Sequence, residues 1–201
     1  MKSLKIALTG GIACGKSQFA DFLGALEVTV IRLDELSKEV TASNSDGLNE
    51  LVNVFSKKIL NQDGELNQKA LRTILLDSKA DKIRIEAILH PKILEKMQEL
   101  MEKSQKKVIV VEIPLLFEKK LEYLFDRVVV VTCNNENQLK RLRNRVNIDE
   151  SSAKQMISIQ ISQKNRLKSA KQMKNDIIKN DDSIANLKQQ AEKFYTKLIN
   201  L

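Results

Sequence analysis

The chain has no tryptophan, one histidine, two prolines and two cysteines, and aromatic residues make up 4% of its 201 positions. Each scarcity excludes something. With so few rings the core has to be built from aliphatic side chains. The stacking platforms on which single-stranded nucleic acids rest are sparse for the same reason. Prolines occur only at Pro91 and Pro114, so helices can run long. Cys14 and Cys133 alone suggest neither a disulfide framework nor a zinc site, and that usage fits a reducing compartment. No apolar run approaches the ~20 residues of a membrane span. The N-terminal apolar run stops at Thr9 and Gly10, too short for a signal peptide's apolar region. A cytoplasmic protein with no membrane partner is expected.

What is present is an ordinary globular inventory with a basic bias. Apolar residues make up 42% of the chain, enough for a real core. The length suits one compact α/β domain with inserted lobes. Net charge is +8, and residues 134 to 201 hold 14 Lys/Arg against 7 Asp/Glu. Three readings fit that basic third: a surface facing polyanions such as nucleotides, a nucleic-acid site, or a solvated face.

The pattern alternates between strands and helices. Leu4–Thr9 reads as a buried strand running into Gly10-Gly11. Phe19, Phe22, Leu23 and Leu26 then recur at helical spacing. Val28–Leu33, Val108–Ile113, Arg127–Thr132 and Asp176–Lys179 read as further strands. The runs VIVVEI and RVVVVT do not alternate, so both faces should be buried, as in a parallel sheet covered by helices. Residues 34 to 104 are mostly helical, with a break expected at His90-Pro91. Residues 134 to 174 form a basic, polar helical stretch. The fold class is α/β: a three-layer α/β/α core with a parallel five-stranded sheet, and two helical excursions from it.

One motif carries chemistry. Gly10-Gly11-Ile12-Ala13-Cys14-Gly15-Lys16-Ser17 fits G-x-x-x-x-G-K-[ST] at every fixed position, with a strand before it and a helix after. Glycines let successive N–H groups turn inward as an anion nest, and the helix start adds positive potential. Lys16 can reach the β and γ phosphates as a point charge. The Ser17 hydroxyl can ligate Mg²⁺, which takes hard oxygen ligands. The chain therefore handles a nucleoside triphosphate, while GTPases, ATPases and kinases remain open.

Other candidates sit at strand ends or on the basic helix. Asp34 follows the second strand and is read either as a base for an attacking hydroxyl or as a helix N-cap. Glu112 is read as a contact to Mg²⁺-bound water or as an acid at a strand end. Glu118 is placed for a substrate or loop contact. Gln138, Arg141 and Arg145 share one helical face, either a phosphoryl-transfer lid or a solvated surface. The lone His90 reads as a cap or packing residue ahead of a catalytic one.

These residues resemble the dephospho-CoA kinase family along most of the chain. Leu8–Ser17 (LTGGIACGKS) looks like its first signature. Asp34–Lys38 resembles its Asp-x-(aliphatic)-(Ala/Ser)-(Arg/His) segment, and Ile85–Pro91 its Leu-Glu-x-Ile-x-His-Pro. Pro114–Glu118 resembles its Pro-Leu-Leu-(aromatic)-Glu. Gln138, Arg141, Arg145, Gln160 and Asn180 follow its later pattern. Arg32, Lys38, Asn67-Gln68, Gln18 and Lys174-Asn175 depart from the usual residues.

The resemblance implies three parts: a nucleotide-binding core (1–33, 105–133, 175–201), a helical CoA-binding domain (34–104), and a lid with its following helix (134–174). It implies ATP and Mg²⁺ as cofactors and dephospho-CoA as the small-molecule substrate, phosphorylated at the 3′-hydroxyl of its ribose in the last step of CoA synthesis. Asp34, Lys16 and Arg141 are then expected to be catalytic. Gly11, Ile12, Ala13, Cys14, Gly15, Lys16, Ser17, Gln18 and Asn180 are expected to bind ATP. Asp34, Lys38, His90, Pro114, Leu115 and Glu118 are expected to meet the acceptor, with Ser17 and Glu112 at the metal. Nucleic acid is not an expected partner, and a monomer is favoured. The rival readings are another small-molecule or nucleoside monophosphate kinase and a nucleic-acid-stimulated ATPase.

Overall fold

A computed structural model describes residues 3–200 in two units. The first holds the residues up to Ile31 and those from Ser104 onward; the second is Arg32–Lys103.

The first unit is built on a parallel sheet. Strand β1 (Leu4–Gly10) leads into helix α1 (Lys16–Gly24), and β2 (Thr29–Arg32) ends where the chain enters the second unit. There follow, in the second unit, helices α2 (Leu33–Val40), α3 (Asp46–Phe55), α4 (Gln68–Asp77) and α5 (Lys79–Lys103). The chain then returns to the first unit with β3 (Val108–Glu112), β4 (Arg127–Thr132), α6 (Asn135–Val146), α7 (Glu150–Ser158), α8 (Gln163–Ala170), β5 (Asn175–Lys179) and α9 (Ile184–Ile199).

The strand order is β2-β3-β1-β4-β5. Registers Leu8↔Glu112, Gly10↔Val131 and Val131↔Ile178 align the carboxyl ends of β3, β1, β4 and β5. Every residue of β3 is buried, and all of β4 after Arg127, as the unbroken apolar runs required. The chain leaves β1 towards β2 on one side and leaves β3 towards β4 on the other. Right-handed crossovers in opposite directions lie on opposite faces, which opens a crevice at the strand ends. The loop after β1 lies at that crevice.

Ile6 and Leu8 of β1, Phe19 and Leu23 of α1, and Leu187 and Phe194 of α9 meet in one buried cluster. The β4–β5 pair is also tied by charge. Arg127 and Lys197 both donate to the Asp176 carboxylate. Burial pushes that carboxyl up, but the two cationic partners outweigh it and hold it below the usual range.

The second unit has its own core, in which Leu48, Leu51, Phe55, Ile59, Leu71, Ile85 and Leu89 are buried together. Ser45 and Asn67 cap α3 and α4 by accepting from Leu48 and Ala70 N–H. The break expected at His90-Pro91 does not occur, because α5 runs through Pro91 as one helix of 25 residues. Proline inside a helix costs roughly 3 kcal/mol by removing a hydrogen bond and crowding the carbonyl of Ala87. Ile85 and Leu89 before it are buried in the same cluster against which Ile93 after it packs. At about 1.5–3 kcal/mol for each fully buried side chain, that packing offsets the cost.

Candidate nucleotide site

The loop between β1 and α1 has the backbone of an anion nest. Ala13 and Gly15 have φ of 59° and 92°, in the left-handed region, alternating with Cys14. For Ala13 that conformation costs about 1–2 kcal/mol and needs support from its surroundings. Helix α1 starts on Gly15 with no side chain capping it, so its first N–H groups stay available to an anion. Lys16 is 8% exposed, and its ammonium donates to Gly11 O at 3.0 Å, across the mouth of the loop.

The glycines also make room for protein. A Cβ on Gly11 would lie 2.7 Å from Gln138 Nε2, and one on Gly15 would lie 2.2 Å from Asn180 Nδ2. Those side chains hold the loop. Gln138 Nε2 donates to Ile12 O at 2.9 Å, Ile12 N–H donates to Gln160 Oε1 at 2.8 Å, and Asn180 Nδ2 donates to Cys14 O at 2.9 Å.

Ser17 and Glu112 are brought together. The serine hydroxyl donates to Glu112 Oε1 at 2.7 Å, although 95 residues separate them. The Leu8↔Glu112 register causes this by setting the end of β3 beside the loop. A hydroxyl and a buried carboxylate are hard oxygen donors that fit Mg²⁺. No cluster of three metal-ligating side chains exists among the described residues. Mg²⁺ retains several waters and takes phosphate oxygens, so two protein oxygens suffice.

A cleft of about 250 Å³ opens on the loop. Lys16, Ser17 and Gln18 line it from the loop and α1, and Arg141 and Arg145 from α6. Three cations and no carboxylate line this cleft, an electrostatic fit to a polyphosphate. Arg141 donates from Nη1 to Asn180 O at 2.9 Å, which aims α6 at the loop. Arg141 is thus half-buried and bonded to protein, while Arg145 is exposed.

The other expected residues fall as follows. Asn180 is 7% exposed, and its amide is engaged by the loop. Pro114 and Leu115 come just after β3, beyond Ile113, with Pro114 half-buried and Leu115 exposed. Glu118 faces inward: its Oε1 accepts from Ile161 N–H at 3.2 Å and lies 4.0 Å from Arg166 Nη2. In the second unit, Asp34 and Lys38 are exposed on α2 and His90 is half-buried in α5. The N-cap of α2 is Arg32, and Asp34 lies inside the first turn, so Asp34 is not the cap. There it still complements the positive end of the helix.

The reading that the two cysteines suggest no disulfide is corrected. Cys14 and Cys133 form a disulfide with Cα atoms 5.3 Å apart, and both residues are 1% exposed. Cys14 follows β1 and Cys133 follows β4, and these strands are paired at Gly10↔Val131. The sheet thus removes a separation of 119 residues, and cysteine usage no longer argues for a reducing compartment. Arg166, buried at 3% exposure beside Glu118, had no sequence signal beyond being one cation among many.

A glycine nest at a parallel strand's end, a lysine and an arginine aimed at it, and a serine–carboxylate pair beside it define a P-loop nucleotide-binding protein. The comparisons narrow the class. The dephospho-CoA kinase family model matches residues 4–186. A dephospho-CoA kinase of Bacillus cereus is 35% identical over 96% of both chains. A solved dephospho-CoA kinase from Campylobacter jejuni superposes with TM-score 0.67 at 29% identity, covering 98% of both chains. A Thermus thermophilus structure reaches TM-score 0.84 at 23% identity, covering 98% of this chain and 99% of that one, and bears on the fold alone. This chain belongs to the dephospho-CoA kinase family, ATP-using kinases that phosphorylate an alcohol group in the last step of CoA biosynthesis.

Proposed function

We propose that this protein transfers the γ-phosphate of ATP to the 3′-hydroxyl of the dephospho-CoA ribose. The observation that carries the reading is the cleft on the P-loop lined by Lys16, Arg141 and Arg145, with Ser17 and Glu112 paired beside it. The N–H groups of Ala13, Gly15, Lys16 and Ser17 and the Lys16 ammonium receive the β and γ phosphates, and Gln18 lines the same cleft. Arg141 and Lys16 neutralise charge spreading over the transferred group, which is most of what such catalysis requires. Ser17 and Glu112 would hold Mg²⁺, which when bound would neutralise charge on the phosphate oxygens.

Asp34 accepts the proton of the attacking hydroxyl. A new P–O bond forms to the ribose oxygen as the bond from γ-phosphorus to the β–γ bridging oxygen breaks. ADP leaves with that electron pair, and no covalent enzyme intermediate is needed. Lys38, His90, Pro114 and Leu115 meet the acceptor. Of the two contacts expected of Glu118, to substrate or to the loop, its bond to Ile161 N–H favours the loop side. The enzyme works in the cytoplasm as a monomer, without nucleic acid.

The test is a substrate panel. The protein is incubated with Mg-ATP and, in turn, dephospho-CoA, AMP and CMP, and ADP release is followed. Dephospho-CoA alone should stimulate release and yield a 3′-phosphorylated product. No stimulation by dephospho-CoA overturns the proposal, and stimulation by AMP or CMP instead assigns a nucleoside monophosphate kinase.

A further inference from the structure

The P-loop motif does not contain the groups that aim its peptides. A trans peptide points its C=O and the following N–H in opposite directions, so bonding one end sets the other. Gln138 on Ile12 O therefore fixes the peptide that carries Ala13 N–H. Asn180 on Cys14 O does the same for Gly15 N–H. Gln160 on Ile12 N–H fixes the peptide whose carbonyl is Gly11 O, the acceptor of both Lys16 Nζ and Cys14 N–H.

Gln160 is itself held through its neighbour. Ile161 N–H donates to Glu118 Oε1 at 3.2 Å, and Ile161 O accepts from Arg166 Nη2 at 3.1 Å. Both ends of residue 161 are thus gripped, by the half-buried Glu118 and the buried Arg166, directly beside the residue that reaches the loop. Arg166 is largely desolvated, which pulls its pKa down, and the Glu118 charge opposes that. A guanidinium is costly to bury, so the placement of Arg166 calls for a role.

We propose that Gln138 and Gln160 are positioning residues that aim the P-loop N–H groups at the ATP phosphates, and that Glu118 and Arg166 position Gln160. This rests on the reading of the loop as the ATP site. The two glutamines have opposite polarity. Gln138 must donate and Gln160 must accept. Space-filling side chains would not have this asymmetry.

The experiment uses the full chain with Gln138→Met, Gln138→Glu, Gln160→Met and Gln160→Glu. Three quantities are read: ATP affinity by calorimetry, KM for dephospho-CoA, and the amide signal of Ile12 in ¹⁵N-labelled protein. Each Met variant should weaken ATP binding about tenfold, the scale of one lost hydrogen bond at a site that needs it, with the acceptor KM within about twofold of wild type on the same scale. Gln160→Glu keeps an acceptor and should preserve the hydrogen-bonded Ile12 amide signal, which Gln160→Met loses. Gln138→Glu cannot donate and should bind ATP no better than Gln138→Met.

A Glu118→Met/Arg166→Met pair removes both charges together, so that the buried arginine is not left facing an absent partner. It should lose ATP affinity as Gln160→Met does, and adding Gln160→Met to it should cost nothing more. Wild-type ATP affinity in either Met variant, or loss of the Ile12 signal in Gln160→Glu, overturns the glutamine assignment. Additive losses overturn the role of the ion pair. Should the paired variant fail to fold, the glutamine variants still decide. If wild-type protein ignores dephospho-CoA yet the Met variants lose ATP affinity, the acceptor assignment fails and the positioning assignment stands.

Discussion

The P-loop and the helical unit both carry residues assigned to substrate, and they hold them in opposite ways. Around the loop the functional groups are buried and bonded to protein. Lys16, Gln138, Asn180 and Glu112 are each at most 8% exposed, and side chains from α6, the α7–α8 connection and the end of β5 fasten the loop. On α2, Asp34 and Lys38 stand in water. A polyphosphate needs converging donors and cations that are in place beforehand, because desolvating them during binding would consume the gain. An exposed acid or amine is screened, and contributes little to binding by itself. The nucleotide end is thus built before its ligand arrives, and the acceptor side of the proposed chemistry depends on one exposed carboxylate.

That contrast can be broken in order of effect. The largest expected change is from Asp34→Asn, which should lower kcat by roughly 10²–10⁴-fold, the usual range for a lost general base, and leave ATP affinity unchanged. Normal turnover in that variant would remove Asp34 from the chemistry; weakened ATP binding would show that the two sides are not separable. Lys38→Ala should be much milder. An exposed charge contact is worth up to about 1 kcal/mol, so KM for dephospho-CoA should rise roughly three- to fivefold, with kcat and ATP affinity unmoved. A tenfold or larger rise would mean that Lys38 is desolvated when the acceptor is bound.

The smallest effect should be on stability, at the β4–β5 pair. Asp176→Asn removes the partner of Arg127 and Lys197 and should lower Tm by a few °C at pH 7 without changing KM for ATP. The pH dependence follows from sign. The folded carboxyl is held below the unfolded value of about 3.9, so its contribution is complete above that pH and is lost as pH falls through the folded value. The wild-type and variant melting curves should therefore converge below about pH 4. A constant gap down to pH 2 would show that the asparagine acts through packing alone.

Much of the fold was legible. VIVVEI and RVVVVT read as strands buried on both faces, and they are. The glycine loop could be placed between a strand and a helix, since its fixed positions and the change of hydrophobic period are local signals. Pro91 misled because local propensity points to a break, whereas Ile85, Leu89 and Ile93 join one cluster and keep α5 continuous. Asp34 was ambiguous because a cap and a first-turn acid differ by a residue or two, and hydrogen bonding alone decides between them.

The site divides along the same line. Spacing identified the loop, Lys16 and Ser17, because a nest, a reaching cation and a metal-ligating hydroxyl must be close along one chain. It also marked Arg141, although a basic stripe on a helix has the same pattern whether or not it faces a cleft. It could not assign Gln160 to Ile12, Glu118 and Arg166 to Ile161, or Cys14 to Cys133, since each pairing depends on how the chain folds back on itself.

By itself the sequence determined that this chain cradles phosphate, and by resemblance which family it joins. Those properties reside in short contiguous motifs, whose chemistry needs neighbours only a few residues away. Only the tertiary structure decided what holds the cradle in shape. The register of β1 with β3 and β4 brings Glu112 and Cys133 beside the loop, and the turns of α6 to α8 bring the amides. A hydrogen bond between distant residues leaves no period or motif in the chain, and exists only once the sheet has set its ends together.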